Sequence, residues 1–221
     1  MEKEANRNCG KKSIDKGEIR RQILAARDRM EPEVKARCDE VIRARVFAHS
    51  AYKESQVILA YASYRSEVDT AVMIRQALAD GKYVFTPKVA GTEMEFWQVT
   101  SLEDLHEGYK GILEPDERIS FPNWIERAID VQRRLQYKAM MWMPGAAFDR
   151  NRHRIGYGKG FYDRYLGRFY GYDREERIAG GQTEVLLTTA ALAYTCQLVQ
   201  DLPCEPHDVR PDIVITEAEI L

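Results

Sequence analysis

Residues 143–166 read MPGAAFDRNRHRIGYGKGFYDRYL, and this stretch combines a strand end, a loop, a glycine-rich turn and the start of a helix. Gly156, Gly158 and Gly160 stand at alternate positions, where the backbone can approach a ligand closely and adopt positive φ. Amides at the start of the following helix point into the same space and favour an anion. Lys159 adds a cation inside the turn.

Three arginines, Arg150, Arg152 and Arg154, precede this turn, and each guanidinium can bind a phosphate with two hydrogen bonds. The spacing is neither that of a Walker A loop nor GxGxxG, and Phe161 stands where a serine or threonine would be needed. The spacing alone therefore leaves two interpretations open. The turn either binds phosphate or is a structural turn that happens to be basic.

Working outward from this stretch, short apolar runs alternate with helical patterns. Strands are predicted at 56–62, 83–86, 94–99, 139–143, 189–194 and 212–216, and helices at 16–29, 33–49, 69–79 and 160–170. Pro87 is predicted to end the second strand, and residues 105–125 are predicted to be irregular. The alternation predicts an α/β fold with a mostly parallel central sheet flanked by helices, in a single three-layer domain over 16–221. Residues 1–15 are predicted to be a flexible lead-in.

The composition argues against several function classes. Thirty-three basic residues nearly balance thirty-five acidic ones, so no chain-wide charge suggests a nucleic-acid or membrane partner. No stretch approaches the roughly 20 apolar residues of a membrane helix, and the N-terminus lacks an apolar signal-peptide core. The four cysteines are scattered without CxxC spacing, which is typical of reduced thiols. We therefore expect a cytoplasmic protein.

Residues 144–166 closely resemble the signature of the 5-formyltetrahydrofolate cyclo-ligase family, whose members are also called methenyltetrahydrofolate synthetases. That signature contains Pro-Gly, Phe-Asp and then Arg-Leu-Gly-x-Gly-x-Gly-Tyr-Tyr-Asp. Ile155 replaces its Leu, and Phe161 replaces a usual Tyr, which keeps a ring but loses a hydroxyl. The resemblance covers about residues 16–217. Further segments match the family in the same order along the chain, namely Lys16 with Arg20, Ser66 to Thr70, Gly111 to Pro115, Gln197, Leu202-Pro203, His207-Asp208 and 212–217. Segment 171–187 looks longer than in relatives, and no role is assigned to it.

The resemblance implies an enzyme that binds ATP and 5-formyltetrahydrofolate and uses Mg²⁺. It implies ATP binding by Lys16, Arg20, Arg154, Ile155, Gly156, Tyr157, Gly158, Lys159, Gly160, Phe161 and Tyr162. It implies folate binding by Ala62, Glu67, Tyr157, Gly158, Lys159, Gly160 and Phe161. Asp163 and Asp208 would bind the metal, and Lys159, Arg154 and Tyr162 would act in catalysis.

Each of these residues also has an ordinary structural interpretation. Lys16 and Arg20 share one helix face and could form a solvated helix end. Glu67 could be a loop acid, and Asp208 a turn residue before a strand. Asp149 is expected to brace the arginine loop, without a chemical role.

In such enzymes the formyl oxygen of the folate is thought to attack the γ-phosphate of ATP. The folate N10 then closes the ring, which leaves 5,10-methenyltetrahydrofolate, ADP and phosphate. Two other functions compete with this hypothesis, a phosphosugar isomerase without ATP dependence and a nucleotide-binding module without turnover. We expect a monomer or a weak homodimer.

Overall fold

The structure is a computed structural model that describes residues 15–116, 138–170 and 187–221. The expected lead-in up to residue 14, the part of the irregular segment after Asp116 and residues 171–186 lie outside the described residues. The helices are α1 Lys16–Arg27, α2 Pro32–Ala48, α3 Ser50–Glu54, α4 Ala71–Ala79 and α5 Phe161–Tyr170. The strands are β1 Val57–Leu59, β2 Tyr83–Ala90, β3 Glu93–Val99, β4 Leu105–Glu107, β5 Leu113–Pro115, β6 Ala139–Met143, β7 Ala147–Asp149, β8 Arg154–Ile155, β9 Leu187–Leu192, β10 Leu198–Val199 and β11 Ile213–Ile215.

Local sequence explains where the first helices begin. The side chain of Asp15 accepts a hydrogen bond of 3.0 Å from the amide of Gly17 and so caps α1. Pro32 occupies the first turn of α2, where its missing N–H costs nothing. The short helix α3 was not predicted, and His49 caps it by accepting from the amide of Ala51.

The central sheet has six strands in the order β11-β9-β6-β1-β2-β3. All neighbours pair in parallel except β2 and β3, which form an antiparallel hairpin. This confirms the predicted α/β class and the mostly parallel sheet. The single-domain, three-layer organisation stays a prediction.

Side chains of the central strand β6 alternate between the two faces of the sheet, as strand geometry requires. Met140 and Trp142 pack in a core with residues of α2 and α4, such as Val46. Met141 and Met143 pack in a second core with residues of α5, such as Tyr165. Helices therefore cover both faces of the central strands.

Most predicted ends of helices and strands shift by up to three residues in the structure, and two predictions were wrong by more than that. Strand β2 continues through Pro87, which faces Phe96 of β3. Strand β1 pairs with β2 only as far as Phe85, and proline is tolerated where a strand is not flanked on both sides. The segment expected to be irregular contains the antiparallel pair β4 and β5.

A second, small sheet of order β10-β7-β8 carries the chain from the central strand β6 to the glycine-rich turn. Strands β7 and β8 pair antiparallel through Ala147 with Ile155 and Phe148 with Arg154. This hairpin places the turn beside the carboxyl end of β6, where ligands bind in open α/β sheets. Within the described ranges, no helix is long and apolar enough to cross a membrane.

Candidate active site

The loop between β7 and β8 is held by Asp149, which is buried. Its carboxylate accepts hydrogen bonds from the amides of Asn151 and His153, both at 2.9 Å, and of Leu202 at 3.0 Å. Asp149 therefore braces the loop, as predicted, and fixes the position of the glycine-rich turn that follows.

A cavity of about 360 Å³ opens beside the turn. Segments far apart in the chain meet there, namely the start of α1, the glycine-rich turn, the first turn of α5 and residues 205–208. Its lining includes Lys16, Arg20, Arg154, Ile155, Gly156, Gly158, Lys159, Gly160, Asp163 and Asp208, all of them predicted site residues. Arg164, Glu205 and His207 also line it.

Cations and carboxylates of this cavity form ion pairs with each other. Lys16 Nζ lies 2.6 Å from Asp208 Oδ2, and an Nη of Arg154 lies 2.8 Å from Asp163 Oδ1. Partial burial alone would lower the pKa of Lys16 and raise that of Asp208. Asp208 and Glu205 together outweigh burial at Lys16, whose pKa is raised, and Lys16, the amide of Glu205 and His207 together outweigh it at Asp208, whose pKa is lowered.

The two predicted metal ligands, Asp163 and Asp208, both line the cavity. Asp163 also accepts a 3.1 Å hydrogen bond from the amide of Val209, the residue after Asp208. In the described residues, no group of three or more His, Cys, Asp or Glu side chains is arranged to hold a metal. Two carboxylates beside a phosphate-sized cavity suit Mg²⁺, which commonly completes its coordination with phosphate oxygens and water.

The glycine-rich turn is held against α1. Arg20 Nε donates to the carbonyl of Gly156 at 2.7 Å. Gly158 has φ +86°, and a Cβ added there would lie 3.4 Å from the guanidinium carbon of Arg20. Lys159 is exposed and its ammonium has no ion pair with any described residue. The turn therefore presents one uncommitted cation to the cavity.

A second cluster surrounds Glu67, which is buried beside the cavity rather than in its lining. Glu67 Oε2 accepts from the amide of Tyr64 at 2.8 Å, and the hydroxyl of Tyr157 in the turn interacts electrostatically with its carboxylate. Burial raises the pKa of Glu67, while these two interactions and the charge of Arg27 oppose that rise. Ala62 is buried on the same side of β1 and does not line the cavity either.

Two buried donors near the cavity have no hydrogen-bond partner among the described residues, Arg154 Nε and the hydroxyl of Tyr162. The guanidinium of Arg154 lies 5.7 Å from the centre of the Tyr162 ring. Burial raises the pKa of Tyr162, so its hydroxyl stays protonated at neutral pH. Buried donors are normally paired, so this pair favours a ligand rich in acceptor oxygens.

A sequence profile of the 5-formyltetrahydrofolate cyclo-ligase family matches residues 12–217. The chain belongs to the 5-formyltetrahydrofolate cyclo-ligase family. It is 27% identical to a mouse 5-formyltetrahydrofolate cyclo-ligase over 218 residues, with 95% of each chain covered. It is also 27% identical to an Aquifex aeolicus 5,10-methenyltetrahydrofolate synthetase of known structure, with a TM-score of 0.72 over 93% of this chain and 91% of the other.

A synthetase from Mycoplasma pneumoniae shares the fold, with a TM-score of 0.63 over 92% of this chain and 99% of the other, at 23% identity. These similarities confirm the resemblance inferred from residues 144–166 and the α/β fold class. The assignment of individual site residues in this cyclo-ligase family member still rests on the motif and on the geometry described above.

Two of the three arginines that precede the glycine-rich turn, Arg150 and Arg152, do not line the cavity. Arg150 forms a two-pronged ion pair with Glu219, at 2.7 and 3.1 Å. Arg152 has φ +64° and donates to the carbonyl of Asp212. Both side chains are held beside β11, which favours the structural interpretation for these two arginines.

One residue of the site was missed in the sequence. Arg27 is 4% exposed and donates to the hydroxyls of Ser66 and Tyr157. An arginine in the last turn of a polar helix normally indicates a solvated helix end, so no feature of the sequence marks Arg27 as a site residue.

Proposed function

We propose that the chain catalyses the ATP-dependent cyclisation of 5-formyltetrahydrofolate to 5,10-methenyltetrahydrofolate, with release of ADP and phosphate. The observation that carries this proposal is the cavity in which Lys16 and Arg20 of α1 meet the glycine-rich turn and Asp208. Lys16, Arg20 and the turn are the parts that the family resemblance implies for the triphosphate, and Asp208 is one of the two residues that it implies for the metal.

The chemistry requires a bond between the formyl oxygen and the γ-phosphorus of ATP while the bond to ADP breaks. Attack by N10 on the formyl carbon then closes the ring, and phosphate leaves with the former formyl oxygen. Such a transfer needs alignment and charge neutralisation more than a protein nucleophile. Lys159 and Arg154 supply positive charge, and the protonated hydroxyl of Tyr162 supplies a hydrogen-bond donor.

Triphosphate binding in this cavity would replace existing ion pairs of the protein with contacts to phosphate. Lys16 and Arg154 are paired with Asp208 and Asp163, and phosphate oxygens would replace these carboxylates as the partners of both cations. Two carboxylates beside the phosphates would repel them. Mg²⁺ held by Asp163 and Asp208 would supply the positive charge that offsets this repulsion.

The folate is assigned to the Glu67 side of the turn. A buried carboxylate can accept the N–H donors of the pterin, and Ala62 adds an apolar wall nearby. Tyr157 and Phe161 contribute rings at the turn itself. Because Tyr157 interacts with Glu67 and neighbours Gly156 and Gly158 of the cavity lining, the two substrates would meet at the turn.

The test is release of ADP by the purified protein with Mg²⁺ and ATP, in the presence and absence of 5-formyltetrahydrofolate. We expect ADP and methenyl product to appear in equal amounts, and only when both substrates are present. Turnover of a sugar phosphate without ATP would instead support an isomerase. ATP binding without folate-dependent ADP release would support a nucleotide-binding module. The cytoplasmic location and the monomer or weak homodimer stay predictions.

A further inference from the structure

Arg27 is a buried charge at the carboxyl end of α1. Burying a guanidinium is costly unless hydrogen bonds satisfy it, and Arg27 obtains them from separate parts of the chain. Its Nε donates to Ser66 Oγ at 2.9 Å, and its Nη1 donates to the hydroxyl of Tyr157 at 2.8 Å. A longer contact of 3.5 Å reaches the carbonyl of Gly145 after β6.

Both short contacts of Arg27 lead to Glu67. Ser66 is the residue before Glu67 in the loop after β1, and the hydroxyl of Tyr157 interacts electrostatically with the Glu67 carboxylate. We propose that Arg27 is a positioning residue, which holds the Glu67 carboxylate oriented and ionised for the substrate through Ser66 and Tyr157. This inference rests on the proposed function, because it takes Glu67 as the group that accepts the pterin donors.

The groups that face Glu67 explain why a cation is needed there. Three tyrosines, Tyr61, Tyr157 and Tyr162, interact electrostatically with its carboxylate, and all three are neutral at physiological pH because desolvation raises the pKa of each above an ordinary value that is already near 10. Interactions with the Tyr157 hydroxyl and the Tyr64 amide favour the ionised form, but they act against strong desolvation. In the described residues, the positive charge that favours ionisation comes from Arg27.

The helix that carries Arg27 also serves the opposite side of the site. Lys16, Arg20 and Arg27 are separated by four and seven residues, so they share one face of α1 at about 3.6 residues per turn. Arg20 bonds the carbonyl of Gly156, and Arg27 bonds the side chain of the next residue, Tyr157. One face of α1 therefore holds the glycine-rich turn at two points, one beside the cavity proposed for phosphate and one beside Glu67.

The test is the pH dependence of kcat/KM for 5-formyltetrahydrofolate, with the enzyme-free reaction subtracted at each pH. Wild type is compared with Arg27→Met, Arg27→Lys and Tyr157→Phe. Arg27→Met removes the cation, so the pKa of Glu67 rises and the acid limb of the profile moves up by about one pH unit. Arg27→Lys keeps the charge and shifts the limb less. The KM for ATP should stay within about twofold of wild type in the two Arg27 variants, because Arg27 is expected to make no contact with phosphate.

Arg21→Met on the same helix is the matched control, because the Arg21 side chain is 73% exposed, and its profile should overlap that of wild type. An Arg27→Met pH profile that overlaps that of wild type overturns the inference. An equal loss of kcat/KM for 5-formyltetrahydrofolate and for ATP, with the acid limb unmoved, overturns it as well. If Arg27→Met fails to fold, Tyr157→Phe and Arg27→Lys test the inference instead. Tyr157→Phe removes only one hydroxyl, and the inference still requires it to move the acid limb of the pH profile upward. Absence of turnover in wild type would instead contradict the proposed function, before any variant is compared.

Discussion

At the scale of single residues, the charge of Lys159 is the simplest to test. Its ammonium lies on the cavity without an ion pair in the described part of the chain, so removing it disturbs no internal contact. A charge-assisted hydrogen bond to phosphate contributes about 1.5–3 kcal/mol. We expect Lys159→Ala to weaken ATP binding roughly ten- to a hundredfold in calorimetry, with unchanged thermal stability.

The control for this prediction is Lys53→Ala, because Lys53 is an exposed lysine on α3, away from the cavity. It should bind ATP as wild type does. Equal ATP affinity for Lys159→Ala and wild type would remove the phosphate role of the glycine-rich turn.

Glu67→Gln should separate the two substrates. Glutamine keeps the size of the side chain, but its amide presents one acceptor where the carboxylate presents two, and it has no charge. We expect the KM for 5-formyltetrahydrofolate to rise about tenfold or more, as loss of a charged hydrogen bond predicts, while the KM for ATP changes little. The measurement is a pair of steady-state titrations, each with the other substrate saturating. Equal increases in the KM for 5-formyltetrahydrofolate and the KM for ATP would show that Glu67 does not act on the folate alone.

The sequence reveals a site residue only where a motif marks it. Lys159 stands out because glycines flank it, and Asp208 is placed by its resemblance to a family block. Arg27 has neither mark, and its role depends on Ser66 and Tyr157 reaching it in space. Arg152 shows the converse, because it stands in the motif but the positive φ of its backbone turns it away from the cavity.

At the scale of secondary-structure elements, the glycine-rich turn is expected to need glycine for two separable reasons. Gly158 and Gly91 both have positive φ, at +86° and +62°, so alanine strains the backbone at each. A Cβ added at Gly158 would also contact the guanidinium of Arg20, whereas a Cβ added at Gly91 would have no atom within 4 Å. We expect both alanine variants to lose about 1 kcal/mol of stability in urea unfolding, with weaker ATP binding in Gly158→Ala alone. Equal ATP binding by the two variants would contradict the predicted approach of phosphate to this turn.

Elements with a clear period or a capping residue were predictable, and those that depend on a partner were not. The strand β6 is a continuous apolar run, and α1 begins directly after Asp15. The continuation of β2 through Pro87 depends on where β1 stops pairing, which is a property of the sheet rather than of the segment. The β4 and β5 pair is equally a matter of contacts formed between two short segments.

At the scale of the whole molecule, the proposed metal site joins Asp163 on α5 to Asp208 near the last strand. Replacing either with Asn should raise the Mg²⁺ concentration needed for half-maximal activity. The double variant should add little, because residues that form one site are not additive. Asp208→Asn also removes the shorter of the two ion pairs that Lys16 makes with described residues and leaves the one with Glu205 at 3.2 Å, so this variant should bind ATP more tightly than wild type when Mg²⁺ is absent.

Asp201→Asn is the control for this experiment, because Asp201 is exposed and does not line the cavity. A wild-type magnesium titration for Asp208→Asn would exclude this residue from the metal site. Fully additive effects of the two replacements would show that the carboxylates act separately.

The strand order has a consequence for how the chain is made. Strand β1 lies between β2 and β6, and its residue Val57 pairs with Ala139. While the ribosome is still adding residues before Ala139, one edge of β1 has no strand to complete it, and an open edge invites pairing with other chains. Capture of β6 should therefore close the open edge of β1 during synthesis, before β9 and β11 are added to the sheet. Ribosome-bound chains stalled before and after β6 should differ sharply in the protection of β1 from protease.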